Sequence, residues 1–101
     1  MRMNSLSTTD KELVKMAKLF KALGDETRLK ILYLLERGEK CQCDIVSHIG
    51  LSQPAVARHT QLLVDSGLLE IRKDGNRRYY TLTENARKVL FRIFEEETAR
   101  N

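Results

Sequence analysis

The sequence predicts a mainly α-helical domain that carries one small β-hairpin, in the order α-α-α-α-β-β-α. The clearest helix begins at Ser52, a good N-cap residue, with Pro54 in the first turn, where its missing N–H costs nothing. Apolar residues at helical spacing follow, and Gly67 ends this fourth helix. Because both ends carry specific signals, this helix anchors the prediction for the rest of the chain.

Two short strands, Leu68–Lys73 and Arg77–Leu82, are predicted after this helix. Both are rich in β-branched, aromatic and basic residues, which favour strands. Between them, Asp74-Gly75-Asn76 predicts a tight hairpin, because these residue types tolerate positive φ. A helix with a polar, basic outer face followed by a basic hairpin indicates a winged helix-turn-helix, in which a helix enters the DNA major groove and a ribbon follows the neighbouring backbone.

Three further helices are predicted before the anchor helix. Thr9 and Glu12 have the spacing of a capping box and mark the start of the first helix, while Gly24 stops it and Asp25 caps the second. The third helix is expected over Lys40–Gly50. The apolar positions of the first helix, expected to serve both the core and a dimer contact, are Leu13, Met16, Ala17, Phe20 and Leu23. Those of the second helix, expected to be buried, are Leu29, Ile31, Leu32, Leu34 and Leu35.

A last helix is expected from Glu84 to about Ala99. Surplus apolar surface on the first and last helices predicts a homodimer through these two helices. The chain of 101 residues is expected to hold a flexible N-terminal arm at 1–8 and a single domain at 9–101. No apolar run reaches membrane-spanning length and no signal peptide is present, so no membrane partner and a cytoplasmic location are expected.

The charge distribution favours a nucleic-acid partner. The net charge is +4 and the pI about 9.3, and the hairpin concentrates Arg72, Lys73, Arg77 and Arg78. Such a basic patch is compatible with DNA binding. The two histidines, two cysteines and scattered carboxylates form no catalytic triad, phosphate loop or carboxylate pair, so an enzyme is not expected.

The run SQPAVARHTQLLVDSGLL, followed by a hairpin ending in RRYYTL, resembles the ArsR/SmtB family of bacterial and archaeal metal-responsive repressors. The upstream runs FKALGDETRLKILYLL and EKCQCDIV resemble the second helix and the thiolate metal motif of that family. The resemblance extends from about Leu13 to the last helix and is more specific for fold and DNA binding than for the inducer. It implies a homodimer whose recognition helices, about 34 Å apart, match an inverted-repeat operator in double-stranded DNA.

The candidate DNA-contacting residues lie on the recognition helix and the wing. Gln53 and Arg58 can each make two-pronged hydrogen bonds to base edges, and Ser52 suits a phosphate oxygen. A solvated polar face is the alternative, and His59 could equally form a hydrogen bond within the fold. Of the two wing arginines only one is expected to face phosphate, because strand side chains alternate. The full candidate set is Ser52, Gln53, Ala55, Arg58, His59, Arg72, Lys73, Arg77 and Arg78.

Cys41 and Cys43 form the candidate inducer site. Relatives that sense thiophilic ions open the third helix with Cys-x-Cys-Asp, as this chain does. Side chains two residues apart on a helix diverge by about 200°, so chelation requires Cys41 to lie before the first turn, or that turn to unwind. A helix N-terminus and the nearby Lys40 would favour thiolate. Gln42 stands where relatives more often carry an apolar residue, which indicates an exposed, irregular helix start.

Two thiolates do not complete an ion site. Asp44 and His48 lie four residues apart on one helical face and could supply oxygen or nitrogen to Zn²⁺ or Cd²⁺. Alternatively, As(III) could take two protein sulfurs and an external thiol, and His48 could simply face solvent. The second metal site of zinc-sensing relatives requires histidines in the last helix, and residues 84–101 contain none. No organic cofactor is expected.

The leading hypothesis is a repressor that leaves its operator when a soft ion binds Cys41 and Cys43. Alternatives are a repressor of the same fold that responds to oxidants or reactive sulfur through these thiols, a winged helix used for protein contact, or cysteines without a role. A direct bond between the two cysteines is expected to be strained, which favours an adduct or an intersubunit bridge. Thr60 stands where the family usually has Leu, so that core position is expected to be less apolar.

Overall fold

The structure is a computed structural model that describes residues 9–90 of the chain. It confirms the mainly α-helical fold with a hairpin wing. The predicted arm at 1–8 and the end of the predicted last helix, 91–101, lie outside the described residues. The helices are α1 (Asp10–Leu23), α2 (Glu26–Leu34, continued by a 3₁₀ turn at Leu35–Arg37), α3 (Gln42–Ile49), α4 (Gln53–Asp65) and α5 (residues 84–90); the strands are β1 (Lys40–Cys41), β2 (Leu69–Asp74) and β3 (Arg77–Leu82).

The predicted helix starts are confirmed by side-chain caps. At α1, the Glu12 N–H donates to Thr9 Oγ1 at 3.2 Å and the Thr9 N–H donates to Glu12 Oε1 at 2.8 Å, which completes the capping box. At α2, the Arg28 N–H donates to Asp25 Oδ1 at 3.0 Å, and this bond lowers the pKa of the Asp25 carboxyl. These caps satisfy N–H groups that have no partner within the helix.

The sheet has three antiparallel strands in the order β1-β3-β2. The outer strand β1 was not predicted, and the prediction of helix from Lys40 is wrong. Cys41 is extended (φ −77°, ψ 158°), so α3 begins only at Gln42. Lys40 pairs with Tyr80 and Cys41 pairs with Tyr79. The cysteine motif is therefore attached directly to the wing.

The core lies between α2, α3, α4 and the inner face of the sheet. Tyr80 and Leu82 point inward, as predicted, while Tyr79 is half-buried. Leu29 was expected in the core but is 37% exposed, because it lies on the outer side of α2. The fully buried large side chains are Ile31, Leu32, Leu35, Ile45, Val56, Thr60, Leu63, Leu68 and Leu90.

The apolar stripe of α1 is largely uncovered. Leu13, Val14, Met16 and Phe20 are all exposed, Phe20 to 62%. Large apolar patches on a small domain mark interaction surfaces. Only Ala22 of α1 is buried, so Leu13, Met16 and Phe20 do not belong to the core of the single chain. The dimer contact that was expected for this stripe beside the core stays a prediction. Within residues 9–90, no helix is long and apolar enough to span a membrane.

Candidate DNA interface and thiol site

The recognition helix α4 presents one polar side to solvent. Val56, Thr60 and Leu63 are fully buried on its inner side, and the helical period places Gln53 and Arg58 outward. Both are exposed, as their proposed role requires, whereas Ala55 is half-buried. The outward residues lie in the N-terminal half of the helix, the half that contacts base edges in helix-turn-helix proteins.

Ser52 caps this helix. Its Oγ accepts a hydrogen bond from the Ala55 N–H at 3.3 Å, so its hydroxyl proton is still available for an external acceptor. In the first turn, Pro54 has no N–H and the Ala55 N–H is bonded to Ser52, so the Gln53 N–H is left to attract an anion at the helix start. A phosphate oxygen at this helix start would meet both kinds of donor.

His59 forms a hydrogen bond within the fold, which was one of its two predicted roles. Its Nδ1 lies 3.2 Å from Arg28 Nη1. Because a guanidinium only donates, Nδ1 must accept, which leaves the proton of the neutral ring on Nε2. The same Arg28 donates to the main-chain oxygens of Ala22 at 2.8 Å and Lys21 at 3.1 Å. Arg28 therefore joins the end of α1 to the recognition helix.

The four wing cations differ in their partners. Arg72 donates to both carboxylate oxygens of Glu39, at 3.1 and 2.8 Å, and its guanidinium lies 4.3 Å from the centre of the Tyr79 ring. These hydrogen bonds lower the pKa of Glu39 and raise the pKa of Arg72. Lys73, Arg77 and Arg78 are exposed and pair with no carboxylate among residues 9–90. A DNA phosphate would have to compete with Glu39 for Arg72, but not for the other three.

We expect Glu39→Gln to strengthen DNA binding, because it removes the charge that holds Arg72. If Arg72 then contacts a phosphate, the slope of log affinity against log salt concentration steepens by about 0.9. Fluorescence anisotropy with a labelled duplex at several salt concentrations measures this slope. Glu70→Gln is the matched control, since Glu70 is exposed on β2 and has no ion pair with a described residue. Equal slopes for both variants would mean that Arg72 does not bind phosphate.

Cys41 and Cys43 lie at the start of α3 with their side chains turned towards each other. Cys41 is the N-cap, and its Sγ accepts a hydrogen bond from the Asp44 N–H at 3.2 Å. The two sulfurs form a disulfide with a Cα–Cα distance of 5.3 Å. A direct bond was expected to be strained and less favourable than an adduct or an intersubunit bridge, but the structure joins the two sulfurs directly. The backbone allows this because Cys41 is extended and precedes the first helical turn.

Gln42 is buried, which contradicts the expected exposed helix start. Its side chain is 9% exposed, and its Oε1 accepts a hydrogen bond from the Tyr80 hydroxyl at 3.0 Å. Thr60 Oγ1 lies 3.4 Å from the same hydroxyl and 3.1 Å from the main-chain oxygen of Ala57. A polar chain thus replaces the apolar contacts expected at these positions.

One further candidate ligand joins the two cysteines. The ligand atoms of Cys41, Cys43 and Asp44 all lie within 4.8 Å of one another, and Cys43 and Asp44 are exposed. His48 lies outside this group, and its Nδ1 donates to the main-chain oxygen of Asp44 at 2.9 Å. Two sulfurs and one carboxylate fit a thiophilic ion better than a hard cation.

A cleft of about 810 Å³ connects the thiol site to the candidate DNA interface. Cys41, Gln42 and Cys43 line one side, while the wing and the recognition helix line the other. The cleft residues from those two elements are Gln53, Pro54, Ala57, Asn76, Arg77 and Arg78. Any ligand on the cysteines would therefore lie next to side chains proposed to contact DNA.

The model of the arsR family of bacterial regulatory proteins matches residues 25–70. The chain is 44% identical over 68 residues to the arsenical resistance operon repressor of Staphylococcus aureus, covering 67% of this chain and 65% of that protein. It is 46% identical over 79 residues to the arsenical resistance operon repressor of Escherichia coli K12, covering 77% and 68%. The solution structure of a homodimeric winged helix-turn-helix DNA-binding domain from Mycobacterium bovis, a possible ArsR-family regulator, superposes with a TM-score of 0.77 at 29% identity over 93% of each chain.

The chain spans about two thirds of the length of these two arsenical repressors. The match includes α2, α3, α4 and the start of the wing, the elements that carry the cysteine pair and the recognition helix. Sequence and fold lead to the same assignment, and the chain belongs to the arsR family of bacterial transcriptional regulators.

Proposed function

We propose that the chain is a transcriptional repressor that binds an inverted-repeat DNA operator as a homodimer and leaves it when a soft ion, of the As(III), Cd²⁺ or Zn²⁺ class, binds Cys41 and Cys43. The relatives described above are regulators, which supports a regulatory rather than a catalytic role. The names of two of them refer to arsenical resistance.

The DNA-binding part of the proposal is supported by exposure and charge. Gln53 and Arg58 face outward from the recognition helix, and Arg77 and Arg78 are exposed on the wing. Arginine and glutamine can each bind a base edge through two hydrogen bonds, while the wing cations suit backbone phosphates. Dimerisation is supported by the uncovered apolar face of α1 and by the homodimeric Mycobacterium bovis domain.

The observation that carries the inducer site is the convergence of the two sulfurs at the N-cap of α3. With Cys41 extended, both sulfurs and the Asp44 carboxylate come within 4.8 Å. Thiolate is the ligand form, so the pair must be reduced before an ion can bind. A bound ion would supply the energy of sulfur–ion bonds, and the chain's part is to hold the sulfurs beside the DNA-contacting residues.

The experiment is a comparison of the parent protein with the double variant Cys41→Ser, Cys43→Ser, both fully reduced and bound to a duplex selected with the parent from random DNA. We expect As(III) to weaken DNA binding by the parent about 5- to 150-fold, the usual range of allosteric coupling. The double variant should bind the duplex as the parent does but show no response, because serine hydroxyls do not bind soft ions. Fluorescence anisotropy at one salt concentration measures both affinities.

Asp44→Asn in the reduced protein separates the carboxylate from the sulfurs. It should weaken the response to Cd²⁺ or Zn²⁺ more than the response to As(III), which can complete its coordination with an external thiol. Ion-triggered release that persists in the double serine variant would show that the inducer binds elsewhere.

A second candidate function is favoured by the disulfide itself. Cys41 and Cys43 are joined in the structure, so the same chain could respond to oxidants. The balanced step is the reaction of two thiols with one peroxide molecule, which forms the S–S bond and releases two water molecules. Peroxide-triggered release that is reversed by a dithiol reductant, together with indifference to As(III), Cd²⁺ and Zn²⁺, would select this function over ion sensing.

A further inference from the structure

Three buried polar side chains connect the cysteine pair to the recognition helix. Gln42 lies between the two cysteines, Tyr80 lies on β3 and Thr60 lies in the middle of α4. Their exposures are 9%, 2% and 0%. Tyr80 donates its hydroxyl proton to Gln42 Oε1 at 3.0 Å and lies 3.4 Å from Thr60 Oγ1. These contacts join Tyr80 to Gln42, 38 positions away in the sequence, and to Thr60, 20 positions away.

We propose that Gln42, Tyr80 and Thr60 are positioning residues that transmit the state of Cys41 and Cys43 to the recognition helix. The inference deepens the proposed function and rests on these cysteines being the inducer site. It assigns a task to two residues at which the sequence departs from the family pattern, Gln42 and Thr60.

The first turn of α3 links the sulfurs to Gln42. Gln42 is the first residue of α3, and the N-cap bond of that helix is accepted by Cys41 Sγ. Conversion of that sulfur from a disulfide or thiol to an ion-bound thiolate changes its strength as an acceptor for the Asp44 N–H, so the first turn adjusts when the thiol state changes. Because Gln42 is flanked by both cysteines, its main chain moves with that turn.

Breaking the hydrogen bond between Tyr80 and Gln42 is unfavourable. Tyr80 is buried, so its hydroxyl has no access to water if Gln42 moves away. A buried donor without an acceptor is unfavourable, and side-chain networks in such surroundings respond as a unit. Tyr80 must therefore follow Gln42 or turn its proton towards another acceptor.

A movement of Tyr80 also affects the recognition helix α4. If Tyr80 moves, Thr60 loses its 3.4 Å neighbour and keeps only the Ala57 main-chain oxygen at 3.1 Å. The Thr60 hydroxyl then gives its proton wholly to the main chain of its own helix, and such bonding tends to bend a helix. Since Thr60 is one residue from His59 and two from Arg58, a small change in bend re-aims the proposed DNA-contacting side chains. A coupling of 5- to 150-fold, the usual allosteric range, requires no more than one such rearrangement.

The test uses the full reduced protein without DNA, with As(III) alone as the probe, and measures amide hydrogen exchange along α4 before and after loading. The variants are Tyr80→Phe and Thr60→Val, each of which removes a hydroxyl and keeps the shape. Tyr79→Phe is the matched control, because Tyr79 lies on the opposite face of β3 and no described residue forms a hydrogen bond to its hydroxyl. Thiolate absorbance verifies that the ion is bound in every case.

We expect As(III) loading to change the hydrogen-exchange protection of the α4 amides in the parent and in Tyr79→Phe. The change should be less than half as large in Tyr80→Phe and Thr60→Val. Thr60→Ser restores a hydroxyl and should restore the response, which distinguishes transmission from a merely structural role. An equal change in all variants, or no change in the loaded parent, would overturn the proposal. The proposed function fails on different evidence, namely operator binding that ignores the ion, so the two failures are distinguishable.

If Tyr80→Phe does not fold, the Thr60→Val and Thr60→Ser pair carries the same comparison. Thermal unfolding, measured separately for each variant, shows which of them are folded. Binding of the operator then gives a second readout. The ratio of affinities with and without As(III) should fall about fivefold or more in Tyr80→Phe, because Thr60 lacks its neighbouring hydroxyl in that variant whether or not the ion is bound.

Discussion

Replacement of Leu63 by alanine is expected to lower the free energy of unfolding by about 2–5 kcal/mol. Leu63 is fully buried on the inner side of the recognition helix, so the loss combines the transfer free energy of the removed atoms with the cost of the cavity. Small domains are stable by only about 5–15 kcal/mol. Urea unfolding followed by circular dichroism measures the change, at one fixed protein concentration because the proposed dimer would make the stability depend on concentration.

Leu62→Ala is the matched control for this prediction. It removes the same atoms from the neighbouring residue, which is only half-buried, so its effect should be clearly smaller. Equal losses at the two positions would contradict the packing of α4 described above. A smaller loss at Leu63 than at Leu62 would mean that the opposite side of the helix faces the core.

Arg58→Ala is expected to weaken binding of the selected operator by about 1–3 kcal/mol, roughly 5- to 150-fold. Arg58 is exposed on the outer side of α4 and has no ion pair with a described residue, so its guanidinium is available for a guanine edge. The substitution removes no buried group, so the stability of the fold should change little. Anisotropy titrations at one salt concentration provide the affinities.

Gln61→Ala serves as the control for Arg58→Ala. Gln61 is also exposed on α4, but it lies in the C-terminal half and its Nε2 donates to Asp65 Oδ1 at 3.0 Å. It should leave operator affinity nearly unchanged. An equal loss with unrelated duplexes would place Arg58 at a phosphate instead of a base, and no loss at all would remove it from the interface.

The sequence was sufficient to predict those parts of the fold that depend on neighbouring residues. Thr9, Asp25 and Ser52 were identified as caps because a cap bonds an N–H only three residues further on. The hairpin was predictable for the same reason, since two residues, Gly75 and Asn76, separate its strands. Local signals of this kind need no knowledge of the tertiary structure.

Contacts between distant residues were not predictable. Strand β1 has only two residues and exists because Lys40 and Cys41 pair with Tyr80 and Tyr79, nearly forty positions away. The ion pair of Arg72 joins it to Glu39, 33 positions earlier, so an arginine predicted to bind DNA has a second partner. Spacing alone does not indicate such pairs.

One signal for the buried polar chain was present in the sequence. Gln42 and Thr60 each stand where the family more often has an apolar residue, and each was interpreted separately. Two polar residues in an otherwise apolar core require hydrogen-bond partners, so their joint presence could have predicted that they share one. Tyr80, expected to point inward from the wing, was the available link.

The identity of the residues in the candidate site was predicted more successfully than their arrangement in space. The condition that Cys41 must precede the first turn of the third helix is met, and Asp44 lies with the cysteines as one of the possible further ligands. His48 lies outside this group. The contribution of each residue to DNA or ion binding stays a prediction that the variants above test.

In the proposed function, Cys41 and Cys43 are the inducer site of a DNA-binding repressor. A titration of the fully reduced, operator-bound protein with As(III), in which thiolate–ion absorbance and DNA release are recorded on the same sample, tests it most directly. We expect both signals to rise together and to saturate at one ion per chain. Absorbance that saturates while the DNA stays bound, or release without any change in thiolate absorbance, would contradict it.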